Sequence, residues 1–164
     1  MKKIYDLIKK YSMLLFLTYL AFLVVVIILK FPTGLVSGAI KSWMNGGTFY
    51  RMAPQLVPFK TIIEYVGMVQ SIHDWFFKNL VCNLIMFVPY GFLLPFRIQR
   101  NKRTGIKVVL SGCIVSVAIE VFQYVTALGL CDIDDVILNT MGVVLGYGIY
   151  KIIDIFQTKR SSKD

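Results

Sequence analysis

A chain of 164 residues with 57% apolar and only 16% charged side chains carries too little polar surface for an ordinary soluble domain. Its formal net charge of +9 flanks the apolar blocks and forms no basic helix with interleaved polar contacts, which argues against nucleic acid as a partner. The three cysteines, Cys82, Cys113 and Cys131, show no CxxC or Cys/His spacing, so a zinc site is not expected, and no cofactor is expected either.

The first apolar block, residues 11–29, contains no formal charge and is flanked by Lys2, Lys3, Lys9, Lys10 and Lys30. At about 1.5 Å per helical residue it nearly spans a hydrocarbon layer of about 30 Å. The competing reading is a secretory signal, for which Ser37-Gly38-Ala39 supplies small residues, although the usual apolar core of a signal is shorter. The stretch 31–74 is broken by Pro32, Gly34, Gly38, Gly46, Gly47, Pro54 and Pro58 and is expected to form a long loop. Within it Phe59, Ile62, Ile63, Val66 and Val69 recur at helical spacing, which predicts a short amphipathic helix on the membrane surface or against the bundle.

A second block, 75–96, opens with Trp75, Phe76 and Phe77, which suit an interfacial belt, and holds Pro89 and Gly91 near its middle. Proline removes a backbone donor, so a kink is expected there together with a partner for the freed carbonyl. The third block, 108–130, follows a basic stretch, and the fourth, 136–153, follows Asp132-Ile133-Asp134-Asp135. Thirteen of the eighteen Lys and Arg fall on one side of this layout, which predicts both termini in the cytoplasm and the loop and aspartate turn outside. The expected fold is therefore a single all-α integral membrane domain over 1–164, with four transmembrane helices and a long extracellular loop carrying an interfacial amphipathic helix.

In that layout the polar residues of the blocks converge at the outer end: Asn79 and Asn83 of the second helix, Glu120 and Gln123 of the third, and Asn139 of the fourth. Glu120 and Gln123, three residues apart, share a helical face. A carboxylate inside a span costs roughly 2.5 to 3.5 kcal/mol on insertion scales, so Glu120 requires a partner or a purpose. One reading is a pocket that receives a cation, an amine or a lipid head group; the other is interhelical hydrogen bonding of Glu120 to Asn83 or Asn139. Asp134 or Asp135 is expected to cap the fourth helix, and the Asp132, Asp134 and Asp135 cluster exceeds what capping needs; a bound cation would relieve the mutual repulsion of the three, although spacing alone establishes no metal site. The Gly142 and Gly146 pair reads as a close helix contact, and His73 beside Asp74 as an ordinary interfacial histidine. A disulfide between Cys82 and Cys131 stays open on this reading.

Four stretches carry a family resemblance: Leu56-Val57-Pro58-Phe59-Lys60-Thr61-Ile62, the run from Asn83 to Pro95, Glu120-Val121-Phe122-Gln123, and the run from Cys131 to Gly142. In order and spacing they resemble the VanZ-like family of bacterial membrane proteins over about residues 54–153. Many relatives carry an arginine shortly before the aspartate turn, where this chain has Leu128-Gly129-Leu130. The resemblance implies a cell-membrane protein associated, in some members, with reduced susceptibility to teicoplanin and related lipoglycopeptides. The ligand-binding residues expected on this basis are Asn83, Glu120, Gln123, Asp132, Asp134, Asp135 and Asn139. The expected partners are membrane lipid and either the drug or a lipid-linked wall precursor, with self-association of the chain a further option. Alternatives from other classes are an intramembrane enzyme acting on a lipid-linked wall component, for which no nucleophile motif is present, and a small transporter or assembly partner.

Overall fold

The computed structural model describes residues 2–29, 41, 44, 53–68, 74–126 and 131–161. Ser37-Gly38-Ala39, His73 and Leu128-Gly129-Leu130 lie outside the described residues. The elements in chain order are α1 (Lys2–Leu29), α2 (Lys60–Met68), α3 (Asp74–Met86), α4 (Val88–Leu93), a 3-10 turn (Leu94–Phe96), α5 (Thr104–Thr126) and α6 (Ile133–Ser161). No strand forms among the described residues, and Gln55 and Asp132 make an isolated parallel bridge.

Among the described residues, three helical stretches are long and apolar enough to cross a membrane: Lys3–Ile27, Thr104–Thr126 and Ile133–Thr158. The helices extend beyond the apolar blocks that mark them in sequence. α1 starts at Lys2 rather than at residue 11, and α6 runs from Ile133 to Ser161 rather than over 136–153. Lysine is a good helix former, so charge at a block boundary ends the apolar zone without ending the backbone ladder.

Residues 75–96 form α3, α4 and the 3-10 turn instead of one continuous helix. Pro89 lies in the first turn of α4 and has no N–H to donate backward, so the ladder stops at Met86 and restarts at Val88. Tyr19 Oη of α1 donates to the Met86 carbonyl at 2.9 Å, one residue beyond the Ile85 carbonyl that Pro89 would have paired with.

α6 packs directly on this broken helix. A Cβ on Gly142 would lie 2.1 Å from the Leu84 carbonyl oxygen, and one on Gly146 would lie 2.0 Å from that of Val88. Backbone therefore touches backbone, which only glycine permits here, and the GxxxG face is occupied within the chain. Around this seam Tyr19, Leu23, Phe87, Tyr90, Leu93, Val108 and Val143 form the core. In a lipid environment such packing gains its energy from close contact, because the acyl chains are as apolar as the core.

At one end of the bundle Asp154 is buried and accepts a hydrogen bond from Tyr5 Oη at 2.8 Å. It also pairs with the Arg100 guanidinium. The Tyr150 ring meets Phe96 edge-on, with centroids 4.9 Å apart. This cluster joins α1, the turn before α5, and α6.

Candidate functional site

The opposite end is built from three helical stripes. On α5, Val108, Gly112, Ser116, Glu120 and Gln123 are buried at spacings of three and four residues, so one face of the helix carries the polar groups inward. Asn83 of α3 and Asn139 of α6 are buried opposite them. Asn83, Glu120, Gln123, Asp135 and Asn139 line one cavity of about 30 Å³, closed on the α1 side by Val26 and Ile27. A water needs about 10 to 15 Å³ of such space, so the cavity accommodates one or two small polar groups.

Glu120 is only 3% exposed, and its Oε2 accepts the Asp132 N–H at 3.0 Å. Asn139 Nδ2 donates to Ser116 Oγ at 2.8 Å, a fully buried side chain that the sequence reading did not single out. Its signal was available, since it lies four residues before Glu120 on the same face.

The aspartate turn divides its work. Asp132 Oδ1 accepts the Asp134 N–H at 2.9 Å, so Asp132, rather than Asp134 or Asp135, caps α6. Asp132 Oδ2 accepts Thr61 Oγ1 at 2.6 Å. Asp134 is fully buried and turns away toward the start of α2, where its two oxygens accept the N–H groups of Phe59 at 2.5 Å and Ile62 at 3.1 Å. A carboxylate at a helix N-terminus meets unpaired amides and the positive end of the dipole, which favours its charge. The Gln55 N–H bonds to the Cys131 carbonyl at 2.8 Å and the Ile133 N–H to the Gln55 carbonyl at 3.0 Å, lacing the loop to the turn.

Phe59 adopts φ 64°, a left-handed conformation that is unfavourable for a bulky side chain and costs about 1 to 3 kcal/mol. The Asp134 carboxylate, which takes both Phe59 and Ile62 N–H groups, holds it there.

Of the seven expected site residues, five thus border the cavity, Asp132 reaches its rim through the bond to Glu120, and Asp134 serves α2. The repulsion expected among the aspartates is met at Asp132 and Asp134 by N–H and O–H donors. Among the described residues no group of three or more His, Cys, Asp or Glu is placed to hold a metal ion. Cys82, Cys113 and Cys131 are free thiols, so the Cys82 to Cys131 disulfide is not formed. Burial pushes the Cys131 thiol above its ordinary pKa, and the negative charges of Glu120 and Asp132 push in the same direction.

Membrane-length apolar helices enclosing a small polar cavity define a helical integral membrane protein. Within that class the sequence profile of the VanZ/LLP1 family matches residues 16–154, and the chain belongs to this family. It is 36% identical over 75 residues to Protein VanZ of Enterococcus faecium. That alignment covers 45% of this chain and 45% of the relative, so the chain spans less than half the length of the curated protein it matches. No solved structure matches the chain.

Proposed function

We propose that this protein is a multi-pass component of the bacterial cell membrane that lowers susceptibility to teicoplanin and related lipoglycopeptides at the outer leaflet. In this reading the segment 74–96 supplies a fourth crossing, both termini are cytoplasmic, and the aspartate turn and α2 face outward. The thirteen Lys and Arg on the opposite side support that orientation.

The observation that carries the proposal is the gathering of Asn83, Glu120, Gln123, Asp135 and Asn139 around one cavity, in a chain of the VanZ/LLP1 family. Two carboxylates and three amides provide acceptors for an amine or hydroxyl of the drug, or of a lipid-linked wall precursor. The cavity of about 30 Å³ admits a small polar tip and no more, so the ligand's bulk stays outside and its lipid tail in the bilayer. Asp132 and Asp134 contribute by holding the rim: Asp132 through Glu120 and Thr61, Asp134 through the start of α2.

The test is expression in a susceptible host with teicoplanin and vancomycin inhibition measured side by side. Selective protection against teicoplanin is expected, and equal sensitivity to both drugs would remove the proposed role. With Glu120→Gln, protection should return to the level of the empty host at unchanged membrane abundance; retained protection takes Glu120 out of the mechanism. Extracted wall lipids from cells with and without the protein should be chemically identical, because binding leaves no new species.

A further inference from the structure

Between Leu56 and Ile63 four apolar side chains are more than half exposed: Leu56 at 62%, Val57 at 59%, Phe59 at 54% and Ile63 at 68%. Comparable exposure occurs on the faces of the membrane-length helices, as at Leu14, Phe22, Ile114 and Val121, the surface a spanning helix presents to lipid. The 56–63 cluster lies outside those helices.

Its height relative to them is fixed by hydrogen bonds. Gln55 is bonded to Cys131 and Ile133, Thr61 to Asp132, and Phe59 and Ile62 to Asp134. These partners form the start of α6, where the apolar stretch Ile133–Thr158 begins. The exposed cluster is thereby held level with the start of that apolar stretch.

The Ile63 N–H bonds to the Phe59 carbonyl at 2.9 Å, which ties Phe59 to the first turn of α2. Lys60 and Glu64 are exposed beside them, as charged neighbours of an interfacial apolar face are. Phe59 keeps its apolar ring outward from a strained backbone, and Asp134, buried and doubly bonded, maintains that strain.

We propose that residues 56–63 form a membrane wedge whose apolar side chains enter the acyl chains of the adjacent leaflet, with the Asp132 to Asp134 turn as the clamp that sets their depth. The occupant is membrane lipid, because the cluster continues the lipid-covered surface of the bundle at its edge. Burying these side chains in acyl chains also removes them from water, which an exposed cluster of this size otherwise contacts unfavourably.

The test uses the full chain with Trp43→Phe and Trp75→Phe, reconstituted in vesicles of phosphatidylcholine and phosphatidylglycerol with brominated acyl chains. A single tryptophan is introduced by Val57→Trp, Phe59→Trp, Ile63→Trp or Lys60→Trp. Bromolipid should extinguish most of the emission from the first three and little from Lys60→Trp, with acrylamide giving the reverse order. Adding Asp134→Ala to Phe59→Trp should shift that position toward the acrylamide-accessible pattern. The wedge itself is decided by the scan with Asp134 intact, so poor accumulation of the double variant leaves the result usable. Acrylamide quenching of Phe59→Trp equal to that of Lys60→Trp overturns the proposal. Protection of Phe59→Trp from both quenchers, with Val57→Cys cross-linking between two copies, also overturns it by making the patch a protein interface.

Discussion

Each end of the bundle contains a buried carboxylate, and the two are treated differently. Asp154, 5% exposed, receives Tyr5 Oη and the Arg100 guanidinium, and the Phe96 and Tyr150 rings pack beside it. Glu120, 3% exposed, accepts a backbone N–H from Asp132 and borders a cavity shared with Gln123, Asp135 and two asparagines. An ionisable residue in a membrane-length helix is a functional candidate by default. Asp154 shows why that default needs a second criterion: its partners knit three chain segments together and account for it. What separates Glu120 is the space in front of it.

The comparison breaks most severely at the seam connecting the two ends. Gly146→Ala would drive a Cβ to 2.0 Å from the Val88 carbonyl oxygen, where the obstacle is backbone and cannot rotate aside. A loss of about 3 kcal/mol or more is expected, read as a collapse of detergent-stable protein and the simultaneous loss of both ends. Asp154→Ala ranks next. A fully buried pair broken on one side costs about 3 to 5 kcal/mol, and the 57% exposure of the Arg100 side chain lowers this to about 2 kcal/mol. Reversible unfolding in mixed micelles measures that drop. At matched abundance this variant should keep the drug phenotype, and its loss would couple the two ends.

The smallest effect sharpens the electrostatics around Glu120. With Cys82→Ser and Cys113→Ser, alkylation of Cys131 should be slow at neutral pH and accelerate as pH rises, because burial and neighbouring negative charge hold the proton on sulfur. Glu120→Gln removes one of those charges, lowers the thiol's pKa and raises the alkylation rate at fixed pH by a few-fold. An unchanged rate would place the Glu120 charge elsewhere.

The polar cluster around Glu120 was legible because spacing alone places Glu120 and Gln123 on one face and because amides are rare in such apolar surroundings. The interruption near Pro89 followed from its missing N–H, although its confinement to the single residue Phe87 between α3 and α4 did not. The Asp154 latch escaped notice because a charge near the end of an apolar block reads as a boundary. Its spacing from Tyr150, Gly146 and Val143 repeats the helical interval, so the buried face could have been followed to it. Asp134's attachment to Phe59 and Ile62 lies 75 and 72 residues away in sequence, a distance over which local pattern carries no information. For the same reason the bridge from Gln55 to the aspartate turn had no sequence signal.

The glycine contacts also determine where the bundle can yield. With Leu84 and Val88 carbonyls resting directly on Gly142 and Gly146, the α3–α4 and α6 pair has no slack to slide or tilt apart without losing its packing. Val26 and Ile27 line the same cavity from α1, a helix that takes no part in those glycine contacts. Admission of anything larger than a small polar tip would therefore fall to a helix outside that seam, with the α3–α4 and α6 walls held fixed.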